Sequence, residues 1–312
     1  MAALTNSVLS FGQLSNREDV INVITNISPT DTPFQKMVDT GTASNTLHEW
    51  LNDVLAAAAA NAVVEGDDTL SSYTFTAQSA PARLSNRCQI SRKDGVVSGT
   101  QDVIKKYGRT SDKVYYMTKL TKELRRDMEL VLTNNQAPVV GNSTTARQMR
   151  PLEGWITTNA AGGAGYANGT TTAAATDGTQ RAFTQAMLAT AMQGAFNNGG
   201  DPSVLMVGTS QRPVVSQFAS YVTRQSYEPK TLSMSVSVIE TDFGDLKVVT
   251  NRFQRARTAF VLTPSLWCVD YLRPVQPVAL DRTGDNEKFM ILGEYTLVSK
   301  QEAGSAKVAD LS

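Results

Sequence analysis

Residues 111–132 read SDKVYYMTKLTKELRRDMELVL and predict one long helix around which the rest of the chain is organised. Apolar side chains recur there at gaps of three and four, which places them on one helix face: Val114, Met117, Leu120, Leu124, Met128 and Val131. Thr110 or Ser111 can cap the start, because a hydroxyl accepts an orphan backbone N–H there. At 1.5 Å per residue the helix is roughly 33 Å long.

The opposite face of this helix is dense in charge: Lys113, Lys119, Lys122, Glu123, Arg125, Arg126, Asp127 and Glu129. An ordinary amphipathic helix with a solvated face explains this pattern. A spine, packed on one side by its own domain and facing a partner on the other, explains it as well. Periodicity alone leaves both interpretations open.

Charge and composition limit the function classes. The 312 residues carry 29 basic and 29 acidic side chains, so the chain lacks the basic excess of a dedicated nucleic-acid binder. Zero net charge gives little self-repulsion, which suits a chain that ends in an assembly.

Cysteine usage and hydropathy exclude further classes. Cys88 and Cys268 have no CxxC partners, so we expect two small buried side chains and no disulfide framework or zinc site. The first residues, MAALTNSVLSFGQL, lack the features of a signal peptide, and no apolar run approaches the ~18 residues that span a bilayer. We therefore expect a cytoplasm-like compartment and no membrane partner.

The first part of the chain predicts an arm followed by a hairpin. SPTDTPF at 28–34 contains two prolines and indicates an extended arm. TLHEWL at 46–51 and SYTFTA at 72–77 predict two strands, joined through an alanine-rich tip and a turn at Glu65. Such a hairpin is marginal alone, so it lies either on its own domain or on a neighbouring subunit.

The remaining chain combines strands with helices. Arg83–Arg92 predicts a strand that leads toward the long helix, and 157–182, rich in Gly, Ala and Thr, indicates a long loop held by other copies. From Phe183 the pattern becomes α/β. The predicted helices are Thr184–Phe196 and Ser210–Tyr221, and the predicted strands are Ser203–Val207, Val236–Asp242, Leu246–Thr250, Ala259–Leu262, Trp267–Leu272 and Asn286–Lys300.

The sequence motifs that would indicate enzyme chemistry are missing from this sequence. His48 is the only histidine, no GxSxG elbow is present, and no GxxxxGK[ST] phosphate loop is present. His48 and Glu49 are adjacent on a predicted strand, so they point to opposite faces and make a poor metal site. We predict no catalytic residue, no metal and no cofactor.

The order of these pieces resembles the major capsid proteins of tailed bacteriophages, and within them the subfamily found in some short-tailed phages. The resemblance covers almost the whole chain and rests on the order and spacing of six runs: SPTDTPF (28–34), HEW (48–50), EG (65–66), NRCQI (86–90), VSGTQ (97–101) and KELRRDME (122–129). It implies an α+β capsid fold of the Hong Kong 97 type.

The resemblance also implies a domain plan. Residues 1–44 correspond to an N-terminal arm, and 45–82 correspond to an extended β-hairpin loop laid over the adjacent subunit. Residues 83–140 with 278–312 correspond to a peripheral domain built on the spine helix at 111–132, and 141–277 correspond to an axial α/β domain. We expect hinges at 56–66 and 157–182, because one sequence occupies both hexamers and pentamers.

The resemblance further implies partners. The chain would self-assemble into hexamers and pentamers of an icosahedral virion shell, assembled in the host cytoplasm. A separate scaffolding protein and a portal protein at one vertex are expected, the presence of a decoration protein stays open, and double-stranded DNA would be enclosed without specific binding.

The expected contacts between copies involve the hairpin and the charged helix face: His48, Glu49, Trp50, Glu65, Lys122, Arg125 and Arg126. Trp50 is expected to anchor the hairpin on the next subunit, since Trp is a common interface hot spot. Two alternatives stay open at this point. One is an encapsulin-like container of the same fold, and the other is a trimeric tail or adhesion protein.

Overall fold

A computed structural model describes residues 28–60, 62, 65–66, 80–218 and 238–312. The predicted strand at 72–77 and the end of the predicted helix at 210–221 lie outside these residues. The helices are α1 Pro33–Met37, α2 Gly99–Val103, α3 Asp112–Thr133, α4 Leu152–Trp155, α5 Gln185–Asn197 and α6 Gln211–Ser216. The strands are β1 Asp39–Thr42, β2 Leu47–Asn52, β3 Ala82–Arg87, β4 Gln89–Ser98, β5 Ala160–Ala161, β6 Val204–Val207, β7 Val238–Thr241, β8 Gly244–Thr250, β9 Ala259–Leu262, β10 Trp267–Leu280, β11 Asn286–Ser299 and β12 Ala306–Val308.

The spine helix α3 is confirmed with its start shifted by one residue. Ser111 is the N-cap residue, but its side chain makes no capping hydrogen bond. Buried Asp112 occupies the first turn instead, where a negative charge is favoured by the helix dipole. Its carboxylate accepts a hydrogen bond from Gln101 Nε2 at 2.9 Å. It also forms ion pairs with Lys106 Nζ, at 2.9 Å, and with Arg109.

Burial divides α3 into two halves. Leu124, Met128 and Leu132 are fully buried in a core shared with the four-stranded sheet, whereas Val114 in the first turn is 64% exposed. The amphipathic prediction therefore holds for the second half of the helix. In the first half, part of the apolar face reaches the surface of the described chain.

The spine helix packs on a four-stranded sheet with the order β1-β10-β11-β4. β10 continues to Leu280, beyond the predicted end at Leu272, although it contains Pro274 and Pro277. β1 pairs only with Cys268–Tyr271, so no described strand pairs with that edge of β10 from Arg273 onward. Proline is tolerated on such an edge because no ladder hydrogen bond is lost there.

A second, six-stranded sheet has the order β5-β12-β9-β6-β8-β7. Its central strand β6 is buried on both faces. Leu205 and Val207 face the core that includes α5, and Met206 faces the core of the spine helix. The predicted α/β pattern after Phe183 is confirmed, and Thr184 caps α5 by accepting from the Met187 N–H.

Sheet membership corrects one predicted strand and shows where the strands lie relative to one boundary of the expected domain plan. The single strand expected at 83–92 is two strands that meet at buried Cys88, because β3 pairs with β2 while β4 pairs with β11. The predicted lobe boundary at 277/278 cuts through β10, and β12 joins the six-stranded sheet. Long-range strand pairing decides these boundaries, and local sequence does not encode it.

Both cysteines are free and buried, as the sequence predicts. Burial raises the pKa of the Cys88 thiol to about 11 and that of Cys268 to about 12. No helix in the described part of the chain has the length and apolarity needed to cross a bilayer. Among the same residues, no cluster of three or more His, Cys, Asp or Glu side chains could hold a metal ion.

Candidate assembly interface

The β2–β3 ribbon has one face on its own chain and one face in solvent. On the inner face, His48 Nε2 lies 3.0 Å from Asp270 Oδ2, and Trp50 Nε1 donates to the Ser299 carbonyl at 2.8 Å. The Trp50 and Trp155 rings lie 5.5 Å apart. His48 and Trp50 therefore fasten the base of the ribbon within the chain, and their part in contacts between copies stays a prediction.

The outer face and the segment after the ribbon expose large apolar side chains. Leu51 is 70% exposed, Val54 is 65% exposed and Leu55 is 98% exposed. Glu49 pairs across the ribbon with Arg83, and Glu65 lies in an exposed turn. Since large apolar side chains rarely gather on the surface of a monomer, this face is suited to contact with another molecule.

A buried carboxylate joins the arm to the spine helix. Glu129 Oε1 accepts from the Phe34 N–H at 2.7 Å and from Asn251 Nδ2 at 2.7 Å. Glu129 Oε2 accepts from the Gln35 N–H at 3.2 Å and from Gln35 Nε2 at 3.0 Å. Burial raises the pKa of Glu129, while these four donors act in the opposite direction.

The prediction that Glu129 belongs to the charged surface of α3 is therefore wrong. The arm residues Phe34 and Gln35 and the axial residue Asn251 cover it, and each supplies a donor. A buried carboxylate needs such donors, because it loses its hydration on burial. Three segments far apart in sequence meet at this one side chain.

The predicted contact residues on α3 remain at the surface. Lys122 and Arg125 are exposed and Arg126 is half-buried, together with exposed Lys119 one turn earlier. None of these four side chains forms an ion pair with a described residue. By contrast, Lys113 pairs with Glu287 at 3.0 Å and Asp127 pairs with Lys93 at 2.7 Å.

The Gly/Ala-rich loop at 157–182 is held by its own chain. Asp310 Oδ2 accepts from the Gly163 N–H at 3.0 Å, and Asp310 Oδ1 accepts from the Gly178 N–H at 2.9 Å. Arg257 Nη2 donates to Asp310 Oδ1 at 2.7 Å. Hydrogen bonds within the chain therefore supply order to this loop, and its contact with other copies stays a prediction.

A buried ionic network extends from this anchor. Arg255 donates two bonds to Glu153, at 2.8 and 3.0 Å, and two to Asp177 on the loop, at 2.8 and 2.6 Å. Lys307 is fully buried and its Nζ donates to the Glu153 carbonyl at 2.6 Å. Burial lowers the pKa of Lys307 to about 8.

Sequence reasoning missed Glu129, Asp310 and Glu153 as organising residues. An acidic side chain among apolar neighbours was the only available signal, as in the run DMELVL at 127–132. The sequence does not reveal their donors, because those lie far away along the chain, for instance 53 residues between Arg257 and Asp310 and 95 residues between Phe34 and Glu129.

Solved structures with similar folds are phage capsids and related particles. The capsid of Cyanophage A-1(L) matches with a TM-score of 0.63 and 11% identity, covering 95% of this chain and 97% of that chain. The capsid of an empty GTA particle matches with a TM-score of 0.62 and 9% identity, covering 99% and 100%. These likenesses confirm the predicted α+β capsid fold of the Hong Kong 97 type.

Sequence comparison supports the same class. The major capsid protein of Escherichia phage Phieco32 is 34% identical over 131 residues, which cover 41% of this chain and 36% of that protein. The match thus spans about a third of the length of that relative. The model of the family described as SU10 major capsid protein matches residues 4–312, which is nearly the whole chain. The chain therefore belongs to the SU10 major capsid protein family.

Proposed function

We propose that copies of this chain assemble into hexamers and pentamers that close into the icosahedral shell of a virion around double-stranded DNA. The observation that carries this proposal is the match of residues 4–312 to a family of phage major capsid proteins. The same match favours a viral shell over an encapsulin-like container and over a trimeric tail or adhesion protein.

The described surface supports a role in assembly. The exposed Leu51, Val54 and Leu55 give one copy an apolar strip to bury against the next. A shell needs many contacts that are individually weak, because errors are then corrected while the sum over the closed particle is large. The β2–β3 ribbon has two strands among the described residues, and its backbone edges add a surface for strand pairing between copies.

We also propose the domain plan, with its peripheral and axial parts divided according to the two observed sheets. Residues 1–44 form the arm and 45–82 the extended loop, although β3 begins at Ala82 and pairs back to β2. The four-stranded sheet with α3 forms the peripheral part, and the six-stranded sheet forms the axial part. Contacts between copies are proposed at Glu49, Glu65, Lys122, Arg125 and Arg126, with His48 and Trp50 holding the ribbon base.

The remaining partners follow from a shell that is filled after assembly. A separate scaffolding protein guides closure in the host cytoplasm, and a portal protein occupies one vertex. Double-stranded DNA is enclosed without specific binding, which agrees with a net charge of zero.

Assembly state tests the proposal. The chain is expressed alone and with a candidate scaffolding protein, and sedimentation and negative-stain microscopy follow its size. We expect closed shells or rings of capsomer size. A species of 33.7 kDa that never assembles under either condition would contradict the proposal.

A further inference from the structure

The spine helix and the six-stranded sheet share an apolar core. Fully buried side chains of both elements belong to it: Leu124, Met128 and Leu132 of α3, with Met206, Phe260 and Leu262 of the sheet. Apolar burial is non-directional, because it depends on the area removed from water. It holds helix and sheet together, but it fixes the angle between them less sharply than hydrogen bonds do, since those weaken steeply when distance or direction changes.

Two polar side chains meet within these apolar surroundings. Glu129 and Asn251 are both fully buried, and Glu129 Oε1 accepts from Asn251 Nδ2 at 2.7 Å. Asn251 is itself fixed to the sheet, because its N–H donates to the Val207 carbonyl at 2.9 Å and its Oδ1 accepts from the Phe253 N–H at 2.9 Å. The bond therefore ties one point on the spine helix to one point on the six-stranded sheet.

The same carboxylate caps the arm helix α1. The first N–H groups of a helix have no partner within the helix, and Thr32, the N-cap residue of α1, makes no side-chain capping bond. Glu129 supplies the missing acceptor from a distant segment, because Oε1 accepts the Phe34 N–H and Oε2 accepts the Gln35 N–H. The position of the arm thus depends on the position of Glu129 on the spine helix.

The described donors that hold the charge of Glu129 are all uncharged: the N–H groups of Phe34 and Gln35 and the side-chain amides of Gln35 and Asn251. Such donors act through distance and direction, so all three segments must be in place at once. A movement that breaks one of these bonds leaves a buried polar group unsatisfied, which costs more than a small shift of apolar contacts. Buried polar groups can in this way specify one arrangement among several that bury similar area.

We propose that Glu129 selects a single arrangement of arm, spine helix and six-stranded sheet, and that this arrangement sets the diameter of the shell. The inference rests on the proposed function, since it concerns shells built from this chain. A shell repeats the subunit shape many times, so a small change of angle in each copy alters the curvature at which the particle closes. Glu129 is thus a positioning residue, which acts through the arm and Asn251.

The diameters of assembled particles test this role, because a residue that only stabilises the fold would leave them unchanged. Glu129→Gln keeps the size of the side chain, but its amide turns N–H groups toward existing donors. The control is Leu188→Ala, which opens a cavity at a buried site in the separate core around α5. Each chain is assembled under the conditions that assemble wild type, below its own melting temperature, and its particles are measured by negative-stain microscopy.

We expect Glu129→Gln to widen the spread of particle diameters at least about threefold relative to wild type, because one arrangement is no longer specified. Leu188→Ala should keep the wild-type diameter and spread. Thermal melting of the unassembled chains, followed by circular dichroism, should give a lowered melting temperature for both variants. The two variants would then differ in particle geometry and not in the direction of their stability change.

A rescue isolates the bond between the spine helix and the six-stranded sheet. In Glu129→Gln with Asn251→Asp the amide and the carboxylate exchange places, so donor and acceptor still match and the net charge of the pair is unchanged. Asn251→Asp alone sets two carboxylates against each other and should broaden the diameters as Glu129→Gln does. The double variant should recover at least about half of the lost uniformity, since this bond is restored while an N–H group of the arm lacks its acceptor.

A normal spread of diameters for Glu129→Gln, with a lowered melting temperature, would show that Glu129 only stabilises the fold. Equal broadening by Leu188→Ala would show that diameter follows stability, and a double variant no better than Glu129→Gln would show that the bond to Asn251 does not set the diameter. Each of these results overturns the inference and leaves the proposed function intact, because wild type still assembles.

Asn251→Ala takes the place of Glu129→Gln if that variant does not fold. It removes one donor and leaves the bonds between Glu129 and the arm in place. It should also broaden the diameters, and a normal spread would equally overturn the inference. Failure of wild type itself to assemble would reject the proposed function, and this inference with it.

Discussion

Two segments of similar composition behave differently in this molecule. The alanine-rich segment at 53–60 has no regular secondary structure and is exposed along its length. The Gly/Ala/Thr-rich loop at 157–182 is instead pinned by Asp310 at Gly163 and Gly178 and by Arg255 at Asp177. Hinges were expected at 56–66, which overlaps the first segment, and at 157–182. The difference shows that distant polar anchors, and not composition, decide which loop is fixed.

Removing the Asp310 side chain, which anchors the 157–182 loop, should cause the largest loss in the free energy of unfolding. Asp310→Ala removes the acceptor of two backbone N–H groups and one of the three acceptors of Arg257, and breaking such a buried pair costs about 3–5 kcal/mol. Urea unfolding of the unassembled chain measures this loss of free energy. Asp201→Ala, an exposed aspartate, is the control and should cost less than about 0.5 kcal/mol. A loss below about 1 kcal/mol for Asp310→Ala would show that the loop does not depend on this anchor.

A glycine in the 157–182 loop and a glycine shortly after the 53–60 segment sharpen the contrast. A Cβ on Gly163 would lie 2.0 Å from the Thr179 carbonyl oxygen, so Gly163→Ala should lower the unfolding free energy by about 2–3 kcal/mol. Gly66 has open space around it and a φ of 83°, so Gly66→Ala should cost only about 1 kcal/mol of backbone strain. If both substitutions lowered the free energy of unfolding equally, the idea that only the 157–182 loop is fixed would be contradicted.

The ionic network behind the fixed loop predicts a pH dependence. Lys307 faces Glu153, Arg150, Glu302 and Tyr166, and its pKa falls from the ordinary 10.5 to about 8 in the folded chain. Below pH 8 both states bind the proton. Between about pH 8 and 10 only the unfolded state keeps it, so the folded state gains stability as pH rises.

Comparison with Lys307→Met isolates this contribution from other groups that titrate at high pH. The wild type should gain about 2 kcal/mol relative to the variant between pH 7.5 and 10. Urea unfolding at four pH values across this range gives the difference. A difference that stays constant with pH would show that Lys307 keeps an ordinary pKa.

Substitution in the exposed segment at 53–60 should change assembly and leave the free energy of unfolding nearly unchanged. Leu55→Ser should change the unfolding free energy by less than about 0.5 kcal/mol, because the side chain is 98% exposed. The assembled fraction in sedimentation should nevertheless fall several-fold. Val140→Ser, at a site that is 64% exposed outside the loop, is the matched control. If both variants assembled equally well, the exposed apolar strip would have no role between copies.

Much of the fold was predictable because it is encoded by local periodicity. Gaps of three and four predicted α3 to within one residue, and β9 at Ala259–Leu262 was predicted at both ends. β10 was cut short at Leu272, because Pro274 and Pro277 look incompatible with a strand until its pairing partners are known. The pairing partner of β2 was also missed, because Ala82–Arg87 looked continuous in sequence with the strand after it.

The candidate interface was predictable only in part. Lys122 and Arg125 were predicted as surface contacts and lie exposed, while Trp50 packs against Trp155 inside the chain. Alternation along β2 correctly paired His48 with Trp50 on one face. It did not reveal that this face is turned toward the chain's own sheet.

By itself the sequence determined the spine helix, the α/β order after Phe183, the zero net charge and the resemblance to capsid proteins, because each follows from neighbouring residues or from simple counts. The tertiary structure alone decided that Glu129 is buried beneath the arm and that Asp310 holds a loop about 150 residues away. The physical reason is that a buried polar group is stable only with its donors in place, and those donors come from segments brought together by folding.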